Sequence, residues 1–313
     1  MHIMRRHGWE IPEHKVTPEA AAVRRRGLLA GAMALVAGPA LAASTPAAAP
    51  GTAGPVNDKY KPGRALTDEK AAETYNNYYE IDDSKNIWQG AQQIQTDPWS
   101  IEIGGMVSKP RTLALEDLFR QVQFEERIYR HRCVETWAMT VPWTGFPLRD
   151  LVRICDPLAT AKYVVFQTAE QSKNMPGLDS PIYPWPYIEG LAIDEAANEL
   201  AFVSTGLFGK SLPKQNGGPI RLTVPWKYGF KSAKALAKIS FTDKQPVNFW
   251  QAISPTEYGF WANVNPAVPH PRWSQAQERL IGTGEIVPSV IYNGYGDFVA
   301  SLYANRGKDK LFM

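Results

Sequence analysis

The sequence predicts an α+β domain with a strand-rich core, and three observations lead there. Short runs of β-branched and aromatic residues recur between Trp99 and Thr242. Stretches with helical spacing are short. The 313 residues include 25 Pro and 24 Gly, which break the chain before long helices can form. A hydrophobic content of 44% argues against disorder. A mean hydropathy of −0.31, with no run of eighteen apolar residues, argues against a spanning helix.

Taken in order, the chain opens with a leader. Arg24-Arg25-Arg26 precedes an apolar run from Gly27 to Ala37, and Ala40-Leu41-Ala42 then offers the small residues a signal peptidase needs. Residues 1–42 are therefore expected to be a cleavable export signal. Arg25-Arg26-Gly27-Leu28-Leu29 fits the twin-arginine pattern, although Arg24 stands where Ser or Thr is preferred. Residues 43–64, rich in Ala, Pro, Gly and Thr, read as a linker or a surface arm. Residues 65–313 read as one continuous domain.

Within it, Trp99-Ser100-Ile101-Glu102-Ile103 alternates like a strand and ends at Gly104-Gly105. Leu115–Phe119 and Leu148–Val152 have helical spacing. Lys162–Thr168, Pro219–Pro225 and Ala237–Thr242 are expected to be further strands.

The formal charge of +3 belongs to the leader. Removing its six basic and three acidic residues from 34 and 31 leaves 28 of each. A neutral body gives no ground for nucleic-acid binding. It keeps two His (His131, His270) and two Cys (Cys133, Cys155), too few and too scattered for a zinc ribbon or a four-cysteine cluster. No G-x-S-x-G or Walker pattern is present.

Three features can carry chemistry. If residues 127–133 are extended, Cys133, His131 and Tyr129 share one face and Arg130 and Arg132 the other. Cationic neighbours favour a thiolate, which is both nucleophile and soft metal ligand. A Cys133–Cys155 disulfide and an inert buried thiol are the competing readings. Second, Leu200–Thr242 contains no Asp or Glu but holds Lys210, Lys214, Arg221, Lys227, Lys231, Lys234 and Lys238 around Asn216-Gly217-Gly218. That suits a phosphate-bearing ligand, or equally a solvated basic face. Third, Tyr75-Asn76-Asn77-Tyr78-Tyr79-Glu80 packs phenols and amides as a polar heterocycle would require, or as an aromatic turn would. His270-Pro271-Arg272-Trp273 reads as a turn.

These blocks resemble one family in content and order. Together with Arg132-Cys133-Val134-Glu135-Thr136-Trp137, Gln215–Leu222, Val224–Lys231, Tyr258–Pro266 and His270–Ala276, they are similar to the periplasmic protein-methionine-sulfoxide reductase catalytic subunits, among the sulfite-oxidase-type molybdoenzymes. The resemblance implies a single strand-rich domain of the sulfite oxidase molybdopterin-binding type and a molybdenum–molybdopterin cofactor. It implies Cys133 as molybdenum ligand and catalytic residue. Asn76, Tyr79, Glu80, Thr168, Asn216 and Arg221 would hold the pterin, with Ser232, Ala233 and Lys234 near its phosphate. It implies oxygen transfer from methionine sulfoxide in oxidised periplasmic proteins, and electrons from a haem-bearing membrane partner, MsrQ. Glu135, Tyr228 and Arg272 are proton-donor candidates by polarity alone. Related chemistry on sulfite or small S- or N-oxides, and a non-catalytic exported binding module, are the alternatives.

Overall fold

Two mixed sheets carry the fold in the computed structural model, which describes residues 53–307 and 309–312. The strands are β1 Ser100–Gly105, β2 Arg111–Ala114, β3 Glu125–Arg132, β4 Trp137–Pro147, β5 Tyr163–Thr168 and β6 Ile188–Ala192. They continue with β7 Phe202–Leu207, β8 Lys210–Ser211, β9 Arg221–Thr223, β10 Leu236–Thr242, β11 Gln277–Leu280 and β12 Ile286–Pro288. One sheet has the order β2-β1-β10-β5-β6. The other runs β12-β11-β4-β7-β8, with β3 also paired to β4 and β9 to β7. Among the described strands, β1–β10 and β11–β4 are the parallel pairs.

The local patterns explain these elements. In β1, Ile101 and Ile103 are buried while Ser100 and Glu102 are exposed, the alternation expected of a half-buried strand. Helix Leu148–Cys155 buries Leu148, Leu151, Ile154 and Cys155 on one face and ends where Asp156 turns left-handed at φ 54°. Strand β4 did not stand out in the sequence. All eleven of its residues are buried, so it shows no alternation, and Pro142 and Gly145 look like breakers.

The signal-peptide reading lies outside the described residues, as does the linker up to residue 52. From residue 53 the arm docks on the domain. Asn57 donates its N–H to Glu126 O (2.8 Å), Glu126 N–H to Pro55 O (2.9 Å), and Tyr60 is buried under the Arg127 guanidinium. Among the described residues, no helix is long and apolar enough to cross a membrane.

Candidate cofactor site

Strand β3 ends at Arg132, and Cys133 follows at the wall of a cleft of about 760 Å³, counted to its open mouth. The cleft lies where the ends of both sheets meet. The loop after helix Glu69–Thr74 brings Asn76, Tyr79 and Glu80; β5 ends at Thr168; a short 3-10 turn presents Asn216; β9 starts at Arg221. The segment leading into β10 adds Ser232, Ala233 and Lys234. All ten residues singled out in the sequence therefore line one cavity.

Their hydrogen bonds leave specific groups over. Asn76 and Asn216 both donate Nδ2–H to the carbonyl of Ala72, at 3.1 and 3.0 Å, and both Oδ1 atoms stay buried without a partner. Arg221 is buried and donates only to carbonyls, those of Leu222, Asn216 and Ser232, so no carboxylate neutralises it. Burial pushes its pKa down to about 10. Lys234 makes no ion pair within contact distance; its ammonium lies 5.4 Å over the Tyr78 ring. Desolvation and then Arg221 bring its pKa down to about 7, with Glu80 opposing. Glu80 accepts from Thr168 Oγ1 at 2.8 Å, and burial raises its carboxyl pKa. Gly217 adopts φ +102°, and a Cβ there would stand 2.7 Å from Lys234 Cγ, so this backbone approach needs glycine.

The rest of the basic stretch does something else. Lys227 pairs with Glu195 (2.5 Å), Lys231 with Glu189 (2.7 Å), Lys238 with Glu102 (2.7 Å) and Lys210 with Glu69 (2.5 Å). Only Arg221 and Lys234 of its seven cations reach the cleft. Lys210 and Lys238 stay at the surface, but each is paired with a carboxylate.

Cys133 requires a correction. Both cysteines are buried free thiols, so the disulfide reading fails. The thiolate argument fails as well. Arg130 turns to the Pro62 carbonyl, and Arg132 is committed to Glu278, Gln275 and Ser289. Burial, then the Glu135 carboxylate, pushes the thiol up to about 12. That shift favours the protonated thiol over the thiolate. The sulfur accepts the Glu135 N–H at 3.4 Å and lies 3.8 Å from Glu135 Oε2. Cys155 is likewise pushed up to about 12 by burial, and it lies outside the cleft.

Residues 89–250 match the oxidoreductase molybdopterin-binding domain model. Over 319 aligned residues the chain is 45% identical to the protein-methionine-sulfoxide reductase catalytic subunit MsrP of Burkholderia mallei, covering 97% of this chain and 96% of that one. It is 44% identical to the MsrP subunits of Pseudomonas syringae pv. tomato and Ralstonia nicotianae, covering 95% and 97% of this chain and 96% and 97% of theirs. The chain belongs to the MsrP family. Among solved structures, the sulfane dehydrogenase SoxCD of Paracoccus pantotrophus aligns with a TM-score of 0.40 at 18% identity, covering 47% of this chain and 38% of that one. That likeness is too slight to build on.

The cleft of this family member fits the molybdopterin cofactor. Two partnerless amide oxygens match the N–H donors of a pterin. Arg221 and Lys234 supply the charge a phosphate needs. The Cys133 thiol offers the soft sulfur that molybdenum takes.

The structure also adds residues. Asn77 accepts from Trp137 Nε1 (3.1 Å) and donates to Tyr79 OH (3.1 Å) and Glu135 Oε2 (3.0 Å). Lys85 stands 2.6 Å from the same Glu135 oxygen. His131, Met139, Tyr187, Trp250 and Tyr258 also line the wall. His131 could be read from strand alternation with Cys133. Met139 is the cross-strand partner of His131 on β4, Trp250 comes from the helix Phe249–Ile253, and Asn77, Lys85, Tyr187 and Tyr258 come from segments outside the strands and helices. Of the three proton-donor candidates, Glu135 lines the cleft. Tyr228 lines a neighbouring cavity, and Arg272 is 57% exposed and bound to Glu257.

Proposed function

We propose that the protein is a molybdenum-dependent reductase of methionine sulfoxide in oxidised proteins, the catalytic subunit of a system that receives electrons from another subunit. The observation that carries this reading is the free Cys133 thiol, in one cleft with two unpaired amide acceptors and two cations lacking a contacting carboxylate. When bound, molybdenum–molybdopterin supplies a two-electron centre that accepts the sulfoxide oxygen and leaves a thioether.

The chain's own residues prepare that event. Cys133 anchors the metal and gives up its proton. Asn76 and Asn216, with Tyr79, Glu80 and Thr168, orient the pterin. Arg221 and Lys234, with Ser232 and Ala233, hold the phosphate end. Tyr79, Trp250 and Tyr258 give the cleft aromatic walls, which suit a polarisable methionine side chain. Asn77 and Lys85 fix the Glu135 carboxylate beside the sulfur.

The Arg25-Arg26 leader supports export to the periplasm by the twin-arginine route. The body has no haem-attachment motif and too few cysteines for a cluster, which supports an external donor, a haem-bearing membrane subunit of the MsrQ kind. The test is elemental analysis with assays on oxidised protein, free methionine sulfoxide and sulfite. We expect stoichiometric molybdenum, turnover of the sulfoxides, and loss of both in Cys133→Ser. Metal-loaded protein that turns over sulfite but no sulfoxide overturns the reading.

A further inference from the structure

Beside the cofactor cleft lies a second cavity of about 560 Å³, counted to its open mouth. The two share Val134, the residue after Cys133, and Tyr258. Val134, Val268 and Pro271 give the second cavity apolar walls, and His270 lines it. Only 6% of His270 is exposed. Its Nδ1 accepts the backbone N–H of Arg272 at 3.2 Å, so the ring proton sits on Nε2. That Nε2–H is buried and has no hydrogen-bond partner. The nearest carboxylate oxygen, Glu257 Oε2, is 3.6 Å away and bound by Arg272 at 2.8 Å. The imidazole stacks on Trp273 at 3.8 Å and 10°, and Trp273 Nε1 donates to the Val134 carbonyl at 2.8 Å. Glu257, Gln275, Tyr228 and Tyr258 also line the cavity, so the acceptor that suits this donor is a neutral carbonyl oxygen, which adds no charge beside the Glu257 carboxylate.

We propose that this cavity is a second substrate subsite, taking the residue next to methionine sulfoxide in an oxidised polypeptide. His270 Nε2–H donates to that residue's backbone carbonyl, and Val134, Val268 and Pro271 pack its side chain. The inference rests on the reductase reading and gives it a means of preferring protein over free amino acid. Free methionine sulfoxide fills only the cofactor cleft.

The experiment compares the holoenzyme on free methionine sulfoxide and on a blocked tripeptide with leucine after the sulfoxide. The wild type should show the lower KM for the tripeptide. His270→Asn keeps an acceptor near Nδ1 but loses the far donor. It should raise the tripeptide-to-free KM ratio by about three- to tenfold, the worth of one hydrogen bond. His270→Gln keeps a donor near the Nε2 position and should restore the ratio. Val268→Trp, filling the cavity from its partly exposed rim, should raise it too. Tryptophan fluorescence of the oxidised holoenzyme, which does not turn over sulfoxide, gives the tripeptide Kd independently. Molybdenum content and Tm show that the variants are folded and loaded. An unmoved ratio, or a shift shared by both substrates, overturns the subsite alone. No turnover of either sulfoxide by the loaded wild type overturns the reductase reading as well.

Discussion

Lys234 lines the cleft with its charge unpaired, which costs the bare fold and is what the proposed cofactor role would require. It makes no hydrogen bond or close ion pair, and desolvation already weakens its charge. Lys234→Met should lower the cofactor content of purified protein several-fold. The cofactor-free protein should keep its urea midpoint or gain slightly, because a costly charge has gone. A large fall in that midpoint would show that Lys234 serves the fold instead. The two cysteines offer a matching contrast. Cys155→Ala removes one buried sulfur outside the cleft and should cost about 1 kcal/mol of stability, as a small cavity does, with molybdenum content unchanged. Metal analysis beside chemical denaturation checks both halves. The sequence already set Cys133 apart by its motif block, and the fold places it in the cleft and Cys155 outside it.

The segment Val224–Lys234 is the element that ties cleft to core. Its path is set by two buried ion pairs, Lys227–Glu195 and Lys231–Glu189. Lys227 also donates to the Trp261 carbonyl (2.7 Å) and Asn263 Oδ1 (2.9 Å), and Tyr303 joins Glu195, Asn263 and Trp226 in one polar network. Lys227→Met leaves Glu195 buried and uncompensated. It should cost about 3–5 kcal/mol in equilibrium unfolding. Adding Glu195→Gln should recover part of that loss, and additivity of the two changes would contradict the coupling. The same segment shows where the sequence misleads. Its acid-free run of cations reads equally as a ligand site or as a solvated face. The acids lie on distant stretches of chain, so composition in a window cannot show which charges are already neutralised.

For the molecule as a whole, Glu189 predicts a pH dependence. Burial, opposed by Lys231, raises its pKa from 4.5 to about 7. A raised acid binds its proton more tightly in the folded state. Its contribution to stability is therefore fully present below pH 4.5 and is lost as pH rises through about 7. Glu189→Gln should flatten the stability profile of the cofactor-free protein across that window, read from urea midpoints at stepped pH. An unaltered slope would mean that the Lys231 pairing keeps the carboxylate ionised throughout. Together, the two sheets bring Cys133 at the end of β3 within one cavity of Thr168 at the end of β5. Chain segments from residue 76 to residue 234 meet there, so no local window contains the site.

By itself the sequence determined the elements with a clear period, such as β1, β10 and the helix at Leu148, because alternation and helical spacing are local consequences of which face is buried. It also named ten residues that the fold brings to one cavity, since the motif blocks carry them intact. The tertiary structure alone decided the fully buried β4, which has no periodicity to read, and the pairing that removes most of the basic stretch from the site. It alone decided the protonation of Cys133. Charge in sequence suggested a thiolate; desolvation, which depends on everything packed around the sulfur, favours the thiol.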